Sequence, residues 1–164
     1  MKHRDHEFTC VFLSIVVVID PILRFSTMKK NDLARIAHMW IAEGWSRGNP
    51  DMVYELHSPD FVDHDAAGRP DNREGFREGI IALYRAFPDL QCVVDDLVIN
   101  EETGTVSVRW SGSGTHQGTF LGAEPTGRRI AFTGIEIIRI RDGLITERWG
   151  QWDGLSLLEQ VGRL

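Results

Sequence analysis

Apolar residues follow two different spacings in the two halves of the chain. Between residues 33 and 87 they recur at intervals of three and four, which is the spacing of one helix face; these positions include Leu33, Ile36, Trp40, Phe76, Ile80 and Leu83. Between residues 90 and 152 they alternate with polar residues, so that successive side chains lie on opposite faces of a strand. This order predicts an α+β domain in which helices precede a sheet.

Three helices are predicted before the sheet. Asn31 or Asp32 can cap the first helix, and Gly48 can end it because glycine takes a left-handed conformation without steric cost. A cap followed by proline then begins a short helix over residues 49–56. The third helix is predicted over residues 73–87, and the proline that follows ends it.

The remaining pattern predicts strands and one further helix. The strands are expected at residues 61–64, 90–100 and 105–116 and on both sides of Asp142-Gly143, and the helix at residues 155–161. Several glycines fall near or within these strands, where glycine marks bulges and sharp bends. We therefore expect a conical fold, with three N-terminal helices packed on a curved antiparallel or mixed sheet that encloses a pocket.

The turn at Asp142-Gly143 decides which residues face that pocket. A two-residue turn would place Glu136 opposite Trp149, whereas a three-residue loop would place it opposite Arg148. The second is favoured, and a slip of one residue would send every side chain to the other face. The favoured register puts one set of residues on one face: Ile130, Phe132, Glu136, Ile138, Arg148, Gly150 and Trp152.

That face combines an acid, a base and apolar side chains. On the neighbouring strand Trp110 and His116 share a parity, so both are expected to reach the same space. A carboxyl, a guanidinium and an imidazole on a concave apolar face favour acid–base chemistry. Simpler interpretations remain open: an ion pair on a solvated face, a structural histidine, and tryptophans in the core or in a dimer interface.

Composition limits the classes of function. The chain has 164 residues, 42% of them hydrophobic and 26% charged, which is typical of one soluble domain. Its net charge of -6 argues against a nucleic-acid partner. No HxH, HExxH, CxxC, GxSxG, GxGxxG or P-loop pattern occurs, and Cys10 and Cys92 have no metal or redox spacing. We expect a cytoplasmic protein with no metal and no cofactor.

Residues 1–27 are predicted to be an extension to the domain at residues 28–164. Their apolar run is too short for a bilayer span, so no membrane association is expected. Three interpretations are open: sequence upstream of a true start at Met28, an added strand or helix, and an export signal that lacks a small-residue cleavage site.

Six segments carry a resemblance to a known family. They are EGWSRGNPD (43–51), SPDFVDH (58–64), GTHQGTFLG (114–122), PTGRR (125–129), FTGIEIIRI (132–140) and DGLITERW (142–149). Together they resemble the SnoaL-like polyketide cyclases, also labelled ester cyclases, of the nuclear-transport-factor-2-like superfamily. The resemblance implies the conical α+β fold, a homodimer, a small-molecule substrate and cofactor-independent aldol ring closure in an apolar pocket.

The family's functional residues are only partly present. The resemblance places the aspartate that acts as the family's general base at Gly150. It places the histidine that assists this base at Glu136, so both usual groups are replaced. His116 matches a family histidine, and Asp63 falls at a family asparagine. We therefore predict that Glu136 is the acid or base, assisted by Arg148, His116 or Asp63.

Five further residues are predicted to bind the substrate. Walls that exclude water would be formed by Trp40, Trp110, Phe132 and Trp152. His64 is the fifth candidate: Asp63 and His64 point in opposite directions on a strand, so that one of the two can enter the pocket. Non-catalytic binding of a small molecule is the main alternative function. Epoxide hydrolase or isomerase activity is a further one, since a fold does not fix a reaction.

Overall fold

A computed structural model describes residues 28–164 of the chain, and the predictions for residues 1–27 lie outside the described residues. The helices are α1 (Lys30–Met39), α2 (Met52–Leu56), α3 (Arg73–Ala86) and α4 (Gly154–Gln160), and a π-helical segment (Trp40–Ser46) continues α1. The strands are β1 (His57–Asp63), β2 (Gln91–Asn100), β3 (Thr105–Thr115), β4 (Arg129–Arg141) and β5 (Leu144–Trp152).

The five strands form one curved mixed sheet in the order β1-β5-β4-β3-β2. β1 runs parallel to β5, and the other neighbours are antiparallel. The expected α+β architecture is thus confirmed. β1 is longer than the predicted strand at residues 61–64 and includes Pro59, which is tolerated because β1 is an edge strand.

The first helical region ends as predicted, at Gly48 with a φ of 61°, but it differs from the prediction at its start and in its last turns. It begins at Lys30, and no side chain caps it, so the expected cap at Asn31 or Asp32 is wrong. It then continues through the π-helical segment, which the periodicity did not indicate. Within this segment Gly44 packs against the ring of Trp40, where a Cβ would overlap the indole.

The β4–β5 hairpin combines a two-residue turn with a bulge. Asp142 and Gly143 both have positive φ, at 50° and 84°, and Arg141 pairs with Leu144. The register then shifts by one residue between Arg139 and Ile140, so that Glu136 lies opposite Gly150. The favoured three-residue loop is therefore wrong. The predicted face is nevertheless confirmed, because the extra residue of the bulge restores the parity of β5.

The helices cover the inner face of the sheet. Asn72 caps α3 by accepting a hydrogen bond from the N–H of Gly75 at 3.0 Å, and α3 buries Phe76 and Ile80. On the sheet, the residues that face them are also buried: Val106, Val108, Ile130, Phe132 and Ile138. Burial of these apolar side chains is the main stabilising contribution to the fold.

An aromatic cluster containing a buried histidine lies between the helices and β1. The ring of His57 lies 4.5 Å from Trp40, 4.6 Å from Phe61 and 5.5 Å from Phe76, centroid to centroid. Burial first, and then the positive charge of Arg148, lower the pKa of His57 from 6.5 to about 3. The imidazole is therefore neutral at physiological pH and packs as part of the core.

This pKa predicts a loss of stability in mild acid. Between pH 6.5 and 3 the unfolded chain takes up a proton at His57 that the folded chain does not, so the free energy of unfolding falls as the pH falls. From pH 7 to 5 the contribution of His57 is about 2 kcal/mol. Chemical denaturation at both pH values should show that His57→Leu removes this part of the loss. The exposed His38→Gln should leave the loss unchanged, and equal losses in wild type and His57→Leu would contradict the assignment.

Candidate active site

A cavity of about 360 Å³ lies between the inner face of the sheet and the helices. Its wall is mostly apolar and includes Ile41, Trp45, Phe76, Leu83, Trp110, Phe120, Leu121, Phe132, Trp152 and Leu157. Three charged residues also line it: Asp65, Arg69 and Arg148. This combination, an apolar wall with a few polar groups in one place, is typical of a small-molecule site.

Arg148 holds two buried carboxylates together. Its Nε donates a hydrogen bond to Glu136 Oε2 at 2.8 Å, and its Nη1 donates to Asp63 Oδ1 at 3.0 Å. The side chains of Asp63 and Glu136 are 0% and 1% exposed, so neither carboxylate lines the cavity. The guanidinium thus separates both acids from the space that a ligand would occupy.

Three strands bring these groups together. Asp63 is the parallel partner of Arg148 across β1 and β5. Glu136 lies diagonally across β4 from Arg148, since Ile138 and Gly150 are the direct partners of Arg148 and Glu136. Diagonal neighbours on one face are within reach of long side chains, so the ion pair follows from the register.

The guanidinium keeps its charge in this buried position. Burial alone would lower the pKa of Arg148, but the charges of Glu136 and Asp63 and their hydrogen bonds outweigh burial and raise the pKa above its ordinary value. Two hydrogen-bonded carboxylates therefore stabilise one buried cation. Arg69 extends the cluster, because its Nη2 donates to Asp63 Oδ2 at 3.3 Å.

Gly150 leaves room for the Arg148 guanidinium. A Cβ built on Gly150 would overlap the guanidinium, and Nη2 would be the nearest atom. Nη2 donates no hydrogen bond to any residue within 28–164, whereas Nε and Nη1 are both engaged. The free N–H groups of Arg148 therefore lie beside a residue that itself lines the cavity.

Asp65 is a site residue that the sequence analysis did not select. Its Oδ2 accepts a hydrogen bond from the N–H of Gly150 at 2.7 Å, and its Oδ1 accepts one from Gln151 Nε2 at 3.0 Å. It lies in the loop after β1, between the predicted strand at residues 61–64 and the predicted helix at residues 73–87. One feature of the sequence could have pointed to Asp65: it directly follows the predicted strand at residues 61–64, which ends in an Asp-His pair.

Comparisons with known proteins agree with this architecture. The sequence model of the SnoaL-like polyketide cyclases matches residues 35–161. The chain belongs to this family. No curated protein matched in a separate sequence comparison.

Solved structures give the same result for this SnoaL-like chain. TsrD from Streptomyces laurentii superposes with a TM-score of 0.75 at 26% identity, over 84% of this chain and 99% of TsrD. AclR from Streptomyces galilaeus, provisionally described as a hydroxylase, gives 0.72 at 28% identity, over 83% of this chain and 88% of AclR. IdmH from Streptomyces antibioticus, provisionally described as a polyketide cyclase, gives 0.66 at 32% identity, over 80% of this chain and 98% of IdmH.

Three of the predicted binding residues of this SnoaL-like protein line the cavity, namely Trp110, Phe132 and Trp152. Trp40 does not, because it is fully buried behind Trp45 and Phe76. His64 lies outside the cavity and stacks on Trp149 at 4.4 Å, since its neighbour Asp63 takes the inner face of β1.

His116 is also away from the cavity, although its parity was predicted correctly. β3 ends at Thr115, and the His116 ring packs 5.4 Å from Phe87 while its Nδ1 lies 3.1 Å from Thr126 Oγ1. The imidazole therefore lies in the loop region beyond the strand, and the structure does not bring it to Arg148.

Cys92 is the thiol on the cavity wall. Burial first, and then the charge of Glu136, raise the pKa of Cys92 to about 12. The group is therefore a neutral thiol at physiological pH, and a neutral thiol is a poor nucleophile.

Residues 28–164 contain neither a cluster suited to a metal ion nor a helix suited to cross a membrane. No group of three or more His, Cys, Asp or Glu side chains in this range is arranged to hold a metal ion. Within the same residues, none of the helices has the length and apolar character that a bilayer crossing requires.

The buried ion pairs predict a large cost for removing Arg148. In Arg148→Met, two carboxylates stay buried while Glu136 loses the cation that compensates its charge, and such losses cost about 3–5 kcal/mol. The control Arg139→Met breaks the Arg139–Glu147 pair, which is about one-third exposed, and should cost about 1 kcal/mol or less. Denaturant unfolding at pH 7 measures both variants. Equal costs would contradict the burial of the Arg148 cluster.

Proposed function

We propose that this SnoaL-like protein closes a ring in a neutral, largely apolar carbonyl or ester compound by cofactor-independent acid–base chemistry. An intramolecular aldol step is the favoured reaction, and a related lyase or isomerase step uses the same groups. One observation carries the proposal. A largely apolar cavity presents a permanently charged guanidinium that has free N–H donors at Nη2.

The charge of the cluster supports a neutral substrate. Two guanidiniums, Arg69 and Arg148, face three carboxylates, those of Asp63, Asp65 and Glu136. Both guanidiniums already pair with protein carboxylates, so a substrate carboxylate would add negative charge to a cluster that lacks a spare cation. A ketone or ester oxygen needs only the free donors.

Arg148 is proposed to polarise the substrate carbonyl. Donors aimed at an oxygen that gains negative charge in the transition state stabilise that charge strongly in a site from which water is excluded. Asp63 and Glu136 are proposed to position Arg148, because they fix Nε and Nη1 and leave Nη2 free. This assigns Glu136 a positioning role in place of the acid or base role expected from the sequence.

Non-catalytic binding is the second candidate function. It is favoured by the pairing of both buried acids with Arg148 and by the lack of any side chain at Gly150. The two candidates differ in what happens to the bound compound. An enzyme converts it, whereas a binding protein releases it unaltered.

A linear tetraketide methyl ester is a suitable probe because it is neutral and can form a carbocycle. We expect the wild-type protein to accelerate formation of an isomer, or of a product lighter by one water, as followed by liquid chromatography coupled to mass spectrometry against the uncatalysed rate. Arg148→Lys should lower kcat by about a hundredfold, because a single ammonium group cannot bind two carboxylates and still present free N–H donors to the substrate carbonyl. The melting temperature identifies a variant that fails to fold.

Arg139→Lys is the matched control for this test, since it changes an arginine on the outer face of the sheet. It should retain wild-type turnover. A probe that raises the melting temperature of the wild type yet is recovered unaltered would overturn the enzymatic proposal and support binding alone.

We also propose that the protein acts as a homodimer in the cytoplasm, and the free thiol of Cys92 is compatible with a reducing compartment. The outer face of the sheet supports the dimer, because Ile135 and Ile137 on β4 are 53% and 39% exposed there. Ile137→Lys should produce a monomer by light scattering, whereas Leu155→Lys, on α4, should not. A monomeric wild type at micromolar concentration would contradict this proposal.

A further inference from the structure

Asp65 differs from the other acids of the site in its access to a ligand. It is the carboxylate that lines the cavity among residues 28–164, and it is half-buried. Asp63 and Glu136 are sealed behind Arg148 and paired with it. Within the described range Asp65 forms no ion pair, unlike Asp63 and Glu136.

Two hydrogen bonds hold the Asp65 carboxylate in place. The N–H of Gly150 binds Oδ2 at 2.7 Å, and Gln151 Nε2 binds Oδ1 at 3.0 Å. Each carboxylate oxygen has a second lone pair, and neither is used by another residue in the described part of the chain. The group is therefore positioned by the protein and still able to accept a proton.

Asp65 and the free donors of Arg148 flank the same residue. Asp65 contacts the backbone nitrogen of Gly150, and Arg148 Nη2 occupies the space next to its Cα. All three residues line the cavity. A base and a carbonyl-polarising cation are thus next to each other at one end of an apolar space, which is the arrangement that removal of a proton beside a carbonyl requires.

We propose that Asp65 is the catalytic base of the ring closure, a proposal that rests on the function proposed above. Asp65 takes a proton from a methylene carbon between two carbonyls. The electron pair of that C–H bond forms the new C–C bond to a keto carbon of the same molecule. The carbonyl oxygen that carries the negative charge after removal of this proton lies beside Arg148. The π pair of the attacked keto group moves to its own oxygen, and this oxygen then receives the proton from Asp65. The product is an isomer of the substrate, and the carboxylate is regenerated.

Asp65→Asn tests the role without changing the shape of the side chain. With the tetraketide methyl ester, we expect kcat to fall by at least a hundredfold and the fall of kcat/KM toward acid pH to disappear. KM and the shift of melting temperature on adding the ester should change less than threefold. Asp60→Asn, an exposed position on β1, is the control and should match the wild type.

Asp65→Gly provides a second test, because it removes the carboxylate and leaves the Gly150 N–H free. Sodium formate should restore turnover in a saturable manner, whereas sodium chloride should not. Turnover by Asp65→Asn within threefold of wild type, or a decline that formate does not reverse in folded Asp65→Gly, would overturn the role of Asp65. Absence of turnover by the wild type would instead contradict the proposed function, so the two failures are distinguishable.

Discussion

The site depends on one buried interaction, the binding of the Arg148 guanidinium by Asp63 and Glu136. It joins β1, β5 and β4. It also keeps a full positive charge on Arg148, although only 8% of this side chain is exposed to solvent. The phenyl ring of Phe76 lies 5.0 Å from Arg148 and 5.8 Å from Arg69, so α3 also packs on this cluster. The sheet, its edge strand and a helix are thus fixed around one cation.

This constraint explains the residue at position 150. The guanidinium occupies the volume that a side chain there would need, so Arg148 and Gly150 have to be considered together. The family resemblance places a catalytic aspartate at Gly150, and the structure places a carboxylate from a different element, Asp65, against the backbone of the same residue. The cavity therefore has a carboxylate next to position 150, and Asp65 supplies it.

Sequence patterns predicted the helices, the strands and the inner face of the sheet, because these follow from local periodicity. The face that carries Glu136 and Arg148 was correct even though the register was not, since the bulge in β5 preserves parity. The pairing of Asp63 with Arg148 was not predictable in this way. It depends on parallel pairing between strands that are about 85 residues apart in the chain, which no local pattern reports.

The residues that the sequence misplaced or did not reveal have related causes. His116 has the correct parity, but parity has meaning only within a strand, and β3 ends one residue earlier. Asp65 lies in a loop, where side-chain direction follows from tertiary contacts and not from spacing. Trp40 has a helix-face position that faces the interior, yet a second layer of aromatic residues separates it from the cavity.

Centrally, we infer that Arg148 Nη2 binds a carbonyl oxygen of the ligand while the Asp65 carboxylate faces the methylene carbon next to that carbonyl. A crystal structure with bound benzoylacetone, a neutral diketone that cannot close a ring, tests it directly. The account predicts a keto oxygen about 3 Å from Arg148 Nη2 and the methylene carbon facing the Asp65 carboxylate. A phenyl ring against Arg148 with both keto oxygens directed away from it would contradict the account.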